Sequence, residues 1–136
     1  MPVNYTGYWA MISNDNFEAY LKALGINIAL RKIACLVKVD KEIMHEQEHM
    51  VIRTLSSLHN YVMDFIIGQE FEEDLHGVDG RKCMTTVAYH GDKLVCVQRG
   101  EKENRGWTHW IEGDKLHLEM HVEDVICRQV FKKAEK

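Results

Sequence analysis

Apolar and polar residues alternate along most of the chain after residue 38. The alternation is clearest at 116–123, where Leu116, Leu118, Met120 and Val122 are separated by histidines and glutamates. A period of two indicates a β-strand with one buried and one exposed face. Weaker forms of this pattern predict further strands at 5–13, 41–45, 50–56, 60–67, 82–89, 94–98, 106–111 and 125–131.

Glycine and aspartate mark the turns between these strands. The sequence Gly-Asp-Lys-Leu occurs at 91–94 and again at 113–116, which predicts the same hairpin turn at both places. The acidic run at 70–74 is interpreted as a solvated edge or turn.

A helical pattern precedes most of the strands, over residues 15–37. Asp15 or Asn16 can cap its start, and apolar residues recur at helical spacing until Gly25 interrupts the run. A second apolar face continues from Ile26 to Val37. The pattern therefore predicts two short helices in a helix–turn–helix.

About ten strands at hairpin spacing favour an all-β fold, a ten-stranded antiparallel up-and-down β-barrel or clam. Such a meander removes its unpaired edges most simply by closing, and ten strands leave a cavity inside. The helix–turn–helix is best placed as a lid over one open end. With one proline and no Ser/Gly-rich linker, we expect residues 1–136 to form a single domain.

The composition is that of a globular protein, with 46% hydrophobic and 28% charged residues. A net charge of −4 argues against a nucleic-acid partner. The four cysteines are widely separated, and the first residues contain no basic segment followed by an apolar one. We therefore expect reduced cysteines, no secretory signal and a cytoplasmic location.

A few polar residues lie on strand faces that could point inward. Trp107 and His109 share one face of 106–111 and Trp110 lies on the other, so the pattern leaves the inward face open. Lys41 is either a cavity residue or a surface lysine, and Gln129 either faces the cavity or bonds a neighbouring strand. A cavity lined in this way suits a long apolar molecule that ends in an uncharged polar group.

The histidines and cysteines give no strong catalytic or metal motif. His45 and His49 flank Glu-Gln-Glu in a predicted hairpin, whereas the zinc motif HExxH needs both histidines on one helical face. His117 and His121 are about 13 Å apart along one strand, too far for one zinc ion. No nucleophile elbow, P-loop or dinucleotide-binding motif is present, so no enzyme is indicated. A histidine-dependent metal-binding protein is the weakest alternative.

Several segments together resemble the intracellular lipid-binding proteins. They are Tyr-Thr-Gly-Tyr-Trp at 5–9, Asn-Phe-Glu-Ala-Tyr-Leu at 16–21 and Arg-Lys-Ile-Ala at 31–34. Other segments look like the cellular retinol-binding members of that family, namely 41–43, 52–56, 60–61, 71–75, 81–83, 105–107 and 110–120. The likeness extends over essentially the whole chain.

The resemblance implies a ten-stranded clam with a two-helix lid and one retinoid inside, its alcohol end deep. It also implies that Trp107 and His109 point inward. Fatty-acid-binding relatives hold a carboxylate with arginines, whereas here His109 occupies one arginine position and Gln129-Val130-Phe131 replaces Arg-x-Tyr. Neutral groups in place of two cations favour an alcohol over an acid.

The resemblance also assigns roles to individual residues. His109 is expected to bond the hydroxyl group, with Lys41 alongside it. The expected ligand-binding residues are Phe17, Tyr20, Ala34, Lys41, Thr54, Leu58, Tyr61, Met63, Trp107, His109 and Gln129. The expected portal residues are Leu30, Val37, Leu58 and Val78.

We therefore expect an intracellular, monomeric carrier of all-trans-retinol, with no catalytic residue, cofactor or metal. Its basic lid is expected to make transient contact with membranes, or with membrane-bound retinoid enzymes and transporters. Retinal, a monoacylglycerol or another neutral lipid are alternative ligands. In an alternative of another class, Lys41 forms an imine with retinal.

Overall fold

The computed structural model describes residues 3–135, which form ten strands and three helices. The strands are β1 (Gly7–Asp15), β2 (Asp40–Glu46), β3 (His49–Leu55), β4 (Tyr61–Ile66), β5 (Phe71–Leu75), β6 (Arg81–His90), β7 (Lys93–Arg99), β8 (Gly106–Glu112), β9 (Lys115–Val122) and β10 (Val125–Ala134). The helices are α1 (Phe17–Ala23), α2 (Ile28–Ala34) and α3 (His76–Asp79).

The strands form one antiparallel sheet in the order β4-β3-β2-β1-β10-β9-β8-β7-β6-β5. β4 and β5 stand at the two ends of this order, and side chains bridge them. The Tyr61 hydroxyl donates a hydrogen bond to Glu73, and Phe65 stacks on Phe71 with ring centroids 5.7 Å apart. The sheet is therefore a nearly closed barrel, which confirms the predicted fold class.

The period-two pattern sorts side chains between the interior and the surface as predicted. In β9, Leu118 and Val122 are buried, as is Leu116 at its start. In β8, Trp107 and His109 are buried, whereas Trp110 is on the opposite face. The inward face that the pattern left open is thus the one that carries Trp107 and His109.

The two Gly-Asp-Lys-Leu sequences form the same turn, as predicted. Two-residue turns join β6 to β7 and β8 to β9, and they begin at Gly91 and Gly113. The φ angles of these glycines are 64° and 61°, a left-handed conformation that costs glycine little.

The helix–turn–helix lies at one end of the barrel. Tyr20 of α1 and Leu24, the C-cap residue of that helix, pack with Val122 and Cys127 of the last two strands. Every residue of α2 is at least partly exposed, and its exposed apolar side chains include Ile28, Leu30 and Ile33. Across residues 3–135, no helix has both the length and the apolar character needed to cross a membrane.

The helix caps differ from the prediction. Asp15 belongs to β1, and the side chain of Asn16 makes no cap because its amide donates to the carbonyl of Ile126 in β10, at 2.9 Å. The side chain that does cap a helix is that of Asn27, which accepts a hydrogen bond from the Leu30 amide at the start of α2.

The interpretation of the acidic run at 70–74 as a solvated edge or turn is correct only in part, because the run lies on an edge strand of the sheet and one of its two faces is buried. Residues Phe71–Leu75 form β5, which pairs with β6. Glu73 and Leu75 are buried, while Glu72 and Asp74 between and beside them are exposed. Because most residues of this run are acidic, its sequence did not show the alternating pattern of an amphipathic strand.

Candidate functional site

A cavity of about 420 Å³ occupies the barrel beneath the lid. This volume falls in the range of sites that take up a small organic molecule. Most of its wall is apolar, with contributions from α1, α2, α3 and strands on all sides of the barrel. All fourteen predicted ligand-binding and portal residues lie on this wall. Their contact with a ligand stays a prediction.

Three polar residues of the cavity wall, Lys41, His109 and Gln129, form what we call the polar end of the cavity. Lys41 belongs to β2. β2 pairs with β3 so that Lys41 stands opposite Thr54, and the lysine Nζ donates to the threonine Oγ1 at 2.8 Å. Both residues line the cavity, and Lys41 is buried. Burial lowers the pKa of Lys41 from its ordinary 10.5 to about 8. The residue is therefore a cavity lysine and not a surface one.

His109 is the second polar residue at this end, and it is only 2% exposed. The rings of His109 and Trp107 are nearly perpendicular, in an edge-to-face contact with centroids 4.5 Å apart. Neither ring nitrogen has a hydrogen-bond partner within residues 3–135. Burial, and after it the positive charge of Lys41, hold the pKa of His109 well below its ordinary 6.5. At neutral pH the imidazole is therefore uncharged, with one donor and one acceptor nitrogen.

Gln129 completes the polar end from β10. Its side-chain amide donates to Asn14 Oδ1 on the neighbouring β1 at 3.1 Å, while the residue also lines the cavity. Both alternatives left open for Gln129 hold. The cavity therefore has an uncharged amide at Gln129 in β10, and an uncharged imidazole at His109 in β8.

A second polar cluster lies where β4 approaches β5, and sequence reasoning missed it. Glu73 is buried in the cavity wall and accepts hydrogen bonds from Tyr61, from Thr85 Oγ1 at 2.8 Å and from Gln98 Nε2 at 2.9 Å. Arg105 also lines the cavity nearby. The signal that could have found Glu73 is its place between Phe71 and Leu75 on one face of a period-two strand.

The lid end of the cavity is bordered by α2, α3 and the turn between β3 and β4. Leu30, Leu58 and Val78 stand on this border, and Leu30 and Leu58 are exposed apolar residues. At Gly77 in α3, a Cβ atom would lie 3.1 Å from His59, so α3 and the β3–β4 turn are in close contact. The predicted portal residues Leu30, Leu58 and Val78 thus lie on the cavity wall, and the passage of a ligand between them stays a prediction.

The histidines of the HEQEH segment lie on a hairpin, as predicted. His45 lies near the end of β2, where its Nδ1 accepts from the Tyr5 amide and its Nε2 lies 2.9 Å from the Tyr89 hydroxyl. His49 begins β3, where it pairs with Asp64 at 2.6 Å. The two rings thus have separate partners and do not form one helical face.

A ten-stranded barrel that encloses a mostly apolar cavity beneath two helices has the architecture of a small lipid-binding protein. The chain belongs to the Lipocalin / cytosolic fatty-acid binding protein family, whose sequence model matches residues 6–134.

The similar proteins include several retinol-binding proteins. Retinol-binding protein 1 of Bos taurus is 69% identical over 134 residues, which cover 98% of this chain and 99% of that protein. Retinol-binding protein 1 of Homo sapiens is 67% identical over 135 residues, covering 99% and 100% of the two chains. The solved structure of human cRBP IV has a TM-score of 0.96 and 53% identity, over 98% of this chain and 100% of that one.

Proposed function

We propose that this chain is an intracellular carrier that holds all-trans-retinol in the barrel cavity. The observation that carries the proposal is the neutral, unpartnered imidazole of His109 at the polar end of an apolar cavity. A buried polar group without a partner is costly, and a ligand hydroxyl would supply the missing hydrogen bond. The similarity to retinol-binding proteins of cattle and human supports the same ligand.

The apolar wall supplies most of the binding free energy in this proposal. Each 100 Å² of apolar surface that leaves water contributes about 2.5 kcal/mol. Phe17, Tyr20, Ala34, Leu58, Met63 and Trp107 are assigned to the isoprenoid chain and ring because they line the cavity. The polar residues then fix the orientation of the ligand and add a smaller share of the affinity.

At the polar end, His109 is assigned to the hydroxyl group of retinol. Lys41 is held by Thr54 and is placed beside the hydroxyl and the end of the polyene, while Gln129 is held by Asn14. A carboxylate at this end would meet one cation, Lys41, instead of a pair of arginines, because Arg105, which also lines the cavity, is paired with Asp79. The arrangement therefore favours an alcohol or aldehyde over an acid.

The biological role follows from solubilising an apolar ligand and handing it on, with no bond made or broken. The portal is assigned to Leu30, Val37, Leu58 and Val78. Exposed apolar residues of α2 beside Arg31 and Lys32 suit brief contact with a membrane, or with membrane-bound retinoid enzymes and transporters. The carrier is proposed to act in the cytoplasm as a monomer, with residues 1–136 as one domain and without a cofactor.

The test is a titration of the purified apo-protein with all-trans-retinol, retinal, retinoic acid and a monoacylglycerol. Retinoid fluorescence and absorbance report binding, and native mass spectrometry reports the ligand-to-protein ratio. Retinol is expected to bind one to one and at least about tenfold more tightly than retinoic acid. Tightest binding of retinoic acid would overturn the proposal, and binding of the monoacylglycerol alone would replace retinol with another neutral lipid.

The lowered pKa of Lys41 favours a second candidate function, carbonyl chemistry on retinal. With a pKa of about 8, roughly one-tenth of the Lys41 amines are uncharged at pH 7 and can condense with an aldehyde, releasing water. Borohydride treatment of the retinal complex would convert such an imine into a stable adduct. Absence of an adduct on Lys41 would remove this candidate and leave the carrier unaffected.

A further inference from the structure

Asp79, the last residue of α3, is held by two arginines from different parts of the chain. Its Oδ2 atom accepts a hydrogen bond from Arg81 Nη1 and another from Arg105 Nη1, each at 2.9 Å. The carboxylate side chain is 0% exposed. Because a buried carboxylate that loses its partners is strongly destabilised, this contact is costly to break.

Arg81 connects the same carboxylate to the lid. Its Nη1 donates at 2.8 Å to the carbonyl of Leu24, the C-cap residue of α1. Its Nε and Nη2 atoms contact Glu101, which lies in the loop between β7 and β8. One guanidinium group therefore joins α1, α3 and a barrel loop.

Arg105 connects the carboxylate to the barrel itself. It directly precedes β8, its side chain is buried, and its backbone carbonyl accepts from the amide of Gln98 in β7. Asp79 is thus tied on one side to a fixed strand pair and on the other to the end of the lid helix.

The position of α3 gives this arrangement a consequence for the cavity. Gly77 and Val78 of α3 line the cavity, and α3 contacts the β3–β4 turn at His59. Leu24, whose carbonyl Arg81 holds, lines the cavity as well. Separation of α1 from α3 would widen the lid end of the cavity, and Arg81 opposes that separation.

We propose that Asp79, Arg81 and Arg105 form a latch that sets the rate at which ligand leaves the cavity. The latch rests on the proposed carrier function, since it acts on the escape of a bound ligand. Arg105 and Asp79 keep α3 against the barrel, and Arg81 is the part that releases the lid. Within residues 3–135, the side-chain hydrogen bonds of Arg81 and Arg105 go to Leu24, Asp79, Cys83 and Glu101 and not to the polar end of the cavity. The latch is therefore expected to act on exchange rather than on ligand preference.

Asp79→Asn is the obvious variant, but it leaves two arginines without their carboxylate and can fail to fold. Arg81→Gln is the sharper test because Arg105 still pairs with Asp79. The matched control is Lys115→Gln, which also removes one positive charge. Lys115 pairs with Asp114 in an exposed turn at the start of β9, whereas the lid packs against its other end at Val122.

The measurement is stopped-flow transfer of all-trans-retinol from the protein to an excess of phosphatidylcholine vesicles. Arg81→Gln is expected to speed transfer about tenfold, since it removes hydrogen bonds from a charged donor. Lys115→Gln is expected to leave the rate within about twofold of wild type. Equal rates for Arg81→Gln and Lys115→Gln would overturn the latch.

Hydrogen exchange on the apo-protein tests the latch without any ligand. Arg81→Gln is expected to speed amide exchange in α1 and α3, and to leave β1 and β10 unchanged. Uniform acceleration across the barrel, or none in the helices, would contradict the latch. If the wild-type protein takes up no retinol, the proposed function fails, while this exchange experiment still decides the latch.

Discussion

The hydroxyl of Tyr61 on β4 donates a hydrogen bond to the carboxylate of Glu73 on β5, with 2.5 Å between the oxygens. These strands stand at the two ends of the strand order, so the contact closes the barrel with side chains. Thr85 and Gln98 also donate to Glu73, which anchors it to β6 and β7. Through Glu73, Tyr61 on β4 is therefore connected to β5, β6 and β7.

We expect Tyr61→Phe to destabilise the protein by about 1–3 kcal/mol. The substitution keeps the ring but leaves one oxygen of a buried carboxylate without its donor. Urea unfolding followed by tryptophan fluorescence measures the free energy of unfolding. Tyr89→Phe is the control, because Tyr89 bonds a histidine at a half-buried site within paired strands. A smaller loss in Tyr61→Phe than in Tyr89→Phe would contradict the role of the Tyr61–Glu73 contact.

The strands were predictable from sequence wherever alternation was regular and one face was apolar. β9 meets both conditions, and its residues Leu116, Leu118 and Val122 lie in the interior. β5 fails the second condition, because Glu73 occupies an inward position that the pattern reserves for apolar residues. The partners that make Glu73 tolerable come from β4, β6 and β7, so no local segment could disclose them.

The cavity residues were predictable from family resemblance to a greater extent than from physical pattern. Trp107 and Trp110 are equally apolar, and the interior position of Trp107 depends on how β8 pairs with its neighbours. Trp110 instead stacks on His117 with centroids 5.2 Å apart and donates to Glu112. Neither approach could predict the latch around Asp79, because its contacts join residues far apart in the chain, up to 57 positions for the bond from the Arg81 side chain to the Leu24 carbonyl.

Gly106→Ala is expected to destabilise the protein severely, by about 3 kcal/mol or more. A Cβ atom at this position would lie 2.1 Å from the carbonyl oxygen of Cys96 on β7. Because that oxygen belongs to the backbone, relief requires the β7–β8 pair to separate. Thermal unfolding followed by circular dichroism measures the effect.

The control for this substitution is Gly100→Ala, where a Cβ atom would approach the Lys82 carbonyl only to 3.2 Å. We expect its melting temperature to fall less than that of Gly106→Ala. Similar melting temperatures for the two variants would show that the β7–β8 pair can adjust to the added methyl group.

Lys41→Met is expected to stabilise the apo-protein at pH 7 while weakening retinol binding. Burial lowers the pKa of Lys41 from 10.5 to about 8, so the folded state bears an unfavourable buried charge at pH 7. Its cost is on the order of 3 kcal/mol, and methionine fills a similar space without charge. We expect the free energy of unfolding to rise by about 1–3 kcal/mol.

The pH dependence of this gain identifies its cause. Between pH 8 and 10.5, Lys41 loses its proton in the folded state but keeps it when unfolded, so unfolding takes up a proton. Wild-type stability therefore rises with pH in this window relative to Lys41→Met, and the gap between the two proteins closes. A stability difference that stays constant from pH 7 to 10.5 would assign the gain to packing instead of charge.

His109→Arg is expected to shift ligand preference from alcohol toward acid. The substitution places a second cation beside Lys41, and a ligand carboxylate would neutralise both, whereas a hydroxyl would leave two buried charges unpaired. We expect the ratio of retinoic acid to retinol affinity to rise about tenfold or more. Fluorescence titration of each retinoid, with absorbance as a second readout, gives the two dissociation constants.

His109→Gln separates the effect of charge from the effect of altered shape. Glutamine keeps a neutral donor and a neutral acceptor at this position, so the affinity ratio is expected to stay within about threefold of wild type. If arginine and glutamine change the ratio equally, the preference depends on the volume of the imidazole and not on its neutrality. If only arginine changes it, the absence of charge at residue 109 is what selects an uncharged retinoid.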